Sequence, residues 1–432
     1  MVRVSIQTIG TRGDIQPVVA IAEALTARGC EVVVSPNIDQ ADFARACGLT
    51  VRHPLGFDFK SMMQRGEASG LLSSPLMWAF FWSRVPRQEL WDLFEASRAA
   101  SAEADVVIAT PLVWPARLTA EVSGASFSYL SFQPGMAVTG AFPCPLVQCR
   151  NFGSALNKVS YLFRGLTLSP GQRVLKEACV RLGLPGHRAG ESQLSFRGAP
   201  AHRMQMLSRA LCPEPEDWGG VSRAIAPLEP KRPVDPIDPA LEEFLARGSA
   251  PVYVGFGSMP PPNEKYAQRV RAAAKNLGVR LIVQKRFARD VWAEDEDAFI
   301  VDRAPYDHIF SRCAGIIHHG GANTVNTALR AGRPQAIAPI FADQAWYAWR
   351  AAEAGIATKP LPTRLKVSTS RMEEVMRSFL TDEVLIGRAA VAGRMARAED
   401  GPKAAADLIL ALAASGGWAH RQSPAQLRRQ AA

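Results

Sequence analysis

The chain lacks the features that would assign it to several large classes of protein. Its seven cysteines (Cys30, Cys47, Cys144, Cys149, Cys179, Cys212 and Cys313) are odd in number and scattered. None forms a C-x-x-C pair, which excludes a zinc knuckle and a disulfide framework. Long apolar runs are missing too. The most aromatic stretch, PLMWAFFWSRV (75–85), falls far short of the roughly 20 residues that cross a bilayer. The opening MVRVSIQTIG has no charged n-region followed by an apolar h-region, so a reducing, cytoplasmic setting is expected. Charge of one sign is not massed: 50 Lys+Arg stand against 40 Asp+Glu, a net +10 spread along the chain. With no basic helix and no aromatic-basic platform, nucleic acid is not an expected partner.

What is present is ordinary globular composition, 47% hydrophobic and 21% charged, over 432 residues. That length predicts more than one core. Short apolar runs alternate with helix-spaced segments in the first half: VRVSIQTIG (2–10), CEVVVSP (30–36), LTVRHP (49–54), DVVIATP (105–111) and FSYLSF (127–132). The second half repeats the plan with PVYVGFGSM (251–259), VRLIVQ (279–284), AFIVD (298–302), AGIIHH (314–319) and PQAIAPI (334–340). Continuous apolar strands separated by helices predict parallel βαβ units, an α/β fold. Between the halves, IAPLEPKRPVDPIDPA (225–240) carries five prolines and predicts an extended linker. The expected organisation is a Rossmann-like domain over 1–224, the linker, and a second Rossmann-like domain over 241–399. A helix over 400–414 and a disordered tail over 415–432 complete it. Such a pair leaves a cleft at the carboxyl ends of both sheets.

Four stretches at strand ends carry candidate chemistry. In IIHHGGANT (316–324), Gly320 and Gly321 permit close approach of backbone to a ligand, and the following helix offers free N–H groups. His319, Asn323 and Thr324 add polar groups, making a cradle for an anion such as a diphosphate. The alternative is a strand-to-helix turn with Asn or Thr as N-cap. GFGSM (255–259) brings Gly257 and Ser258 to the same edge, and FADQ (341–344) sets Asp343 beside Gln344. A carboxylate next to a carboxamide suits vicinal sugar hydroxyls, and a solvated loop is the alternative. In the first half, GTRGDIQP (10–17) follows the first strand and places Asp14 at a helix start.

The order GFGSM, HHGGANT, FADQ resembles glycosyltransferase family one, whose fold is GT-B: two Rossmann-like domains facing each other across a cleft. GTRGDIQP resembles the opening loop of its microbial sterol-glucosyltransferase-like and antibiotic-glycosylating members. The resemblance runs from residue 1 to about 412 and includes LCPEPEDW (211–218). It implies an inverting, metal-independent transfer of a sugar, UDP-glucose first and a dTDP-deoxysugar next, to a hydroxyl of a lipophilic small molecule. The nucleotide sugar is a co-substrate, and no cofactor or metal is expected. The resemblance implies that His319 and the backbone at Gly320, Gly321 and Thr324 hold the diphosphate, with Gly257, Ser258 and Asn323 beside it. Asp343 and Gln344 would hold the sugar.

Four departures stand out. Asn323 occupies a place where many microbial members have glycine. Thr327 replaces the glutamate that plant members use on the ribose, and KRF (285–287) stands where many relatives carry a tryptophan. The histidine base of the plant branch is also missing from GTRGD, which makes Asp14 the candidate base, with helix N-cap as the alternative. A helix N-terminus would lower its pKa and weaken it as a base. For the acceptor, Phe132 and Phe142 in FQPGMAVTGAFPCPL (132–146) and the run Trp78, Phe80, Phe81, Trp82 are candidate pocket walls. A core-facing helix is the other reading of that run. Peripheral membrane contact is compatible with a lipophilic acceptor. Rival readings are a nucleotide-sugar epimerase on the same fold and a non-catalytic nucleotide-sugar-binding protein.

Overall fold

The structure is a computed structural model that describes residues 1–68, 85–147, 150–162, 172–184, 194–230, 238–257, 262–292, 295–302, 306–340, 343–362 and 367–415. Its first sheet contains β1 (Arg3–Thr8), β2 (Glu31–Pro36), β3 (Val106–Ala109) and β4 (Ser126–Ser131). A small antiparallel ribbon follows, β5 (Ser195–Phe196) with β6 (Ala199–Pro200), and then β7 (His202–Gln205) and β8 (Ser222–Ala224) complete the sheet. The spatial order is β2-β1-β3-β4-β7-β8, with every pair parallel. The second sheet contains β9 (Val252–Gly255), β10 (Leu281–Gln284), β11 (Ala298–Val301), β12 (Gly315–His318) and β13 (Gln335–Ile337). Its order is β11-β10-β9-β12-β13, again all parallel. Central strands such as VVIA of β3 and VYVG of β9 are wholly buried, as expected of parallel sheets covered by helices on both faces.

Two differences from the sequence reading have local causes. LTVRHP makes no strand, only an isolated bridge of Val51 to Val34, with a second from Leu55, just beyond it, to Asn37. His53 turns to φ +48° and Pro54 has no N–H, so the ladder cannot continue through them. Conversely, β7 and β8 were not legible. In β7 the arginine is the obstacle, because Arg203 is buried and spends its guanidinium on the carbonyls of Ala201 (2.8 Å) and Met136 (3.0 Å). The proline-rich stretch is also less free than expected: Ile225 and Leu228 are buried in the first core. Its last two residues open the helix Pro239–Ala246, capped by Asp238.

Helix α1 (Arg12–Thr26) follows β1, α2 (Ala322–Ala331) follows β12, α3 (Gln344–Glu353) follows β13, and α4 (Gly401–Ala414) is the last described helix. Helix α4 returns to the first sheet, where Ala405, Ala406 and Ile409 pack with Val4, Ile6, Ile21 and Leu25. Ser126 Oγ donates to the Leu412 carbonyl at 3.1 Å. The two halves also share a core of their own. Phe142, Leu207, Leu211 and Trp218 of the first half pack with Val325, Leu329, Trp346 and Tyr347 of the second. The Phe142 ring lies 5.2 Å from Trp346 and 6.5 Å from Trp218, both edge-on.

This core gives a stability prediction. Phe142→Ala removes the ring that joins the halves and should cost about 3–5 kcal/mol of unfolding free energy. Chemical denaturation monitored by tryptophan fluorescence measures it, and a loss below about 1 kcal/mol would mean that the interface is not packed as described.

Candidate functional site

Parallel register decides which loops meet. His318 at the end of β12 lies opposite Gly255 at the end of β9 on one side and Ile337 of β13 on the other. The loops GFGSM, HHGGANT and FADQ therefore leave adjacent strands at one edge of the second sheet.

The first loop is held by a residue that sequence reasoning missed. Gln284, the last residue of β10, accepts from the N–H groups of Phe256 and Gly257, both at 2.8 Å. Its Nε2 returns a bond to the Gly257 carbonyl at 3.1 Å. A polar residue closing the apolar strand LIVQ at its carboxyl edge was the available signal. Gly257 has φ +61°, and a Cβ there would stand 3.0 Å from the His319 ring. A Cβ on Gly321 would stand 2.5 Å from His319 Nε2. The imidazole thus sits in a slot that only two glycines leave open. Ser258 lies outside the described residues.

The two histidines have different tasks. His318 is fully buried, with Nε2 2.9 Å from Gln335 Oε1 and Nδ1 accepting from the Gly320 N–H at 3.1 Å. Both nitrogens are satisfied by a neutral ring, and burial pushes its pKa down to about 3. His318 is structural: it shapes the turn at Gly320, whose φ is +91°. His319 is also buried, and burial lowers its pKa to about 4. Its Nδ1 has no hydrogen-bond partner among the described residues. Beside it α2 begins at Gly321, an N-cap with no side chain to bond the first turn. Neither Asn323 nor Thr324 is the N-cap, so the ordinary capped turn is not what the loop forms. An uncapped helix start next to an unpartnered buried ring nitrogen is a donor set suited to an anion.

Asp343 is the N-cap residue of α3, yet its side chain makes no cap bond. Burial, its own backbone bond notwithstanding, and then the charge of Asp14 push its carboxyl up to about 7. Gln344 behaves differently from the expected sugar-binding pair. It is buried, and its Oε1 accepts from the Ile340 N–H at 2.8 Å, pinning its own loop.

Across the cleft, Thr11 is the N-cap of α1 and Asp14 is its third helical residue, so the N-cap alternative for Asp14 is corrected. Asp14 Oδ2 accepts from the Thr11 N–H at 2.6 Å and from the Thr11 hydroxyl at 3.1 Å. A Cβ on Gly10 would fall 2.1 Å from that oxygen. Buried Asn37 holds the Gly10 peptide from the other side, accepting from its N–H (3.0 Å) and donating to its carbonyl (3.1 Å). The expected lowering of the Asp14 pKa is reversed: burial outweighs the Thr11 bonds and pushes it up to about 6. Asn323 is likewise turned away from the expected place, its Nδ2 donating across the cleft to the Gly13 carbonyl at 2.6 Å. The first turns of α1 and α2 therefore face each other.

The acceptor candidates fare unevenly. Phe142 is 1% exposed in the core between the halves, which removes it from any open pocket wall. The Phe132 ring packs against the first core, and its carbonyl accepts from Tyr347 Oη at 2.6 Å. Trp78 lies outside the described residues. Among the described residues no helix is long and apolar enough to cross a membrane.

Comparison with known proteins places the chain among relatives of known activity. Residues 268–412 match the family described as erythromycin biosynthesis protein CIII-like, C-terminal domain. A glycosyltransferase of Amycolatopsis orientalis (GtfE) is 31% identical over 421 residues, covering 95% of this chain and 97% of that protein. A sterol 3-beta-glucosyltransferase of Arabidopsis thaliana is 28% identical, covering 98% of this chain and 69% of that protein. Among solved structures, a calicheamicin glycosyltransferase superposes with a TM-score of 0.68 at 16% identity, covering 95% of this chain and 98% of that one. A spinosyn rhamnosyltransferase complexed with thymidine diphosphate gives 0.65 at 19% identity, covering 95% and 99%.

The donor set makes a direct prediction. His319→Ala should weaken binding of UDP or thymidine diphosphate by about 1.5–3 kcal/mol, the scale of a hydrogen bond to a charged group. Titration calorimetry reads it, and unchanged affinity removes His319 from the anion site.

Proposed function

Because the chain belongs to the glycosyltransferases of GT-B fold that act on antibiotics and sterols, we propose that it transfers a sugar, with inversion and without a metal, from a nucleotide diphosphate sugar to a hydroxyl of a lipophilic small molecule. UDP-glucose is the first donor to test and a dTDP-deoxysugar the second. The epimerase and binding-only readings are not favoured, since the relatives that span the chain are transferases.

The observation that carries the reading is the pairing across one cleft of a carboxylate tuned to near neutrality with an uncapped helix start. Asp14, with its pKa raised to about 6, accepts the hydroxyl proton as the acceptor oxygen attacks the anomeric carbon. The bond from that carbon to the phosphate oxygen breaks on the opposite face. The charge left on the nucleoside diphosphate is met by the N–H groups of α2 and by the Nδ1–H of neutral His319. Asp343, at the start of α3, would accept from sugar hydroxyls, while Gln344 holds its own loop through the Ile340 N–H.

Incubation with UDP-glucose or dTDP-glucose and a panel of phenolic, sterol and glycopeptide aglycones tests the proposal. Release of nucleoside diphosphate with no glycoside formed on any acceptor would sink it. Asp14→Asn keeps size and a polar contact to Thr11 but cannot take a proton. Its kcat should fall about 10²- to 10⁴-fold, with melting temperature and donor affinity nearly unchanged. The pH profile follows from the same group. The base works only when ionised, so wild-type kcat/KM should be level above pH 7 and fall about tenfold per unit below pH 6. An acid limb near pH 4 would mean that a carboxyl of ordinary pKa does the work.

A further inference from the structure

Proline inside α1 leaves a carbonyl without its helical partner. In an α-helix the Gly13 C=O accepts from the N–H of the residue four positions on, and that residue is Pro17. Proline has no N–H to give. The carbonyl is only partly exposed and faces the other half of the chain, so it needs a donor from elsewhere. Asn323 supplies it, its Nδ2 lying 2.6 Å from the Gly13 oxygen.

Gly13 is the residue before Asp14. Three ties therefore converge on the segment that carries the carboxylate: Asn37 on the Gly10 peptide, Thr11 on Asp14 Oδ2, and Asn323 on Gly13. Only the last comes from the other half. Asn323 is also the second residue of α2, the helix whose uncapped start forms the anion site. Resting on the reading of Asp14 as the base, we propose that Asn323 is a positioning residue that ties the donor-side helix to the Pro17-orphaned carbonyl of Gly13 and so sets the place of Asp14 in the cleft. One side chain then links the seat of the leaving group to the seat of the proton acceptor. A phosphate ligand would show its effect in nucleotide affinity; a positioning residue shows it in turnover.

Two variants approach the bond from opposite sides. Asn323→Ala removes the donor. Pro17→Ala restores the helical N–H, which competes with Asn323 for the Gly13 oxygen without touching the donor site. Both are assayed with UDP-glucose and whichever aglycone of the panel the wild type glucosylates, alongside calorimetric Kd for UDP. The proposal expects kcat to fall about tenfold or more in Asn323→Ala and in the same direction in Pro17→Ala, with Kd for UDP within twofold of wild type. Pro17 is buried, so the melting temperature of Pro17→Ala is read alongside kcat to show that the variant is folded under the assay conditions. Wild-type kcat in either variant, or a loss confined to Kd for UDP, overturns it. A wild-type enzyme that glucosylates nothing is a separate result and counts against the transferase reading on which this rests.

Discussion

The apolar contact between the two halves is the constraint on which the cleft depends. Phe142 stands between Trp218 of its own half and Trp346 of the other, all of them buried. This packing joins the two halves, and the loops GTRGD, GFGSM, HHGGANT and FADQ leave the carboxyl ends of strands on either side of it. Polar ties cross the same boundary, among them Tyr347 to the Phe132 carbonyl and Arg350 to the Leu211 carbonyl at 3.2 Å. They lie beside the apolar contact, where water competes less and each bond holds more firmly. Helix α4 strengthens the arrangement by returning from the second half to the first core.

Loss of water also sets the charge state of the site. Burial raises the pKa of carboxyls and lowers that of imidazoles, so both are driven towards neutrality by one cause. Asp14 and Asp343 move up to about 6 and 7, and His318 and His319 move down to about 3 and 4. A helix N-terminus acts on a nearby carboxylate with only about 0.3–1 kcal/mol, less than one pKa unit. Burial is the larger effect, which is why Asp14 is a stronger base than its position in the first turn suggests. At neutral pH the site therefore presents neutral rings and backbone dipoles, with charge confined to the carboxylates on its flanks.

Much of this was legible in the sequence where the pattern is local. Strand-length apolar runs before GFGSM, HHGGANT, FADQ and GTRGD gave the parallel sheets and the loops at their ends. The glycines at 320 and 321 were readable as places of close approach; the structure sets the His319 ring against Gly321, and Ile337 with Gln344 against Gly320. The reading failed where a polar residue is buried by distant partners or where backbone chemistry interrupts a run. Arg203 hid β7, and His53 with Pro54 made a false strand of LTVRHP. Phe142 looked like a pocket wall because aromatic character alone does not tell an open face from a closed one.

The sequence by itself determined the α/β repeat, the glycine-rich turn after β12 and the carboxylate in the first turn of α1, because each follows from short-range periodicity and residue type. Tertiary structure alone decided which histidine is structural, that Gln284 clamps the GFG turn, and that Asn323 reaches Gly13. Those outcomes depend on side chains separated by as many as 310 positions meeting at 2.6 Å, and on how much water their meeting excludes. Spacing along the chain carries no record of either.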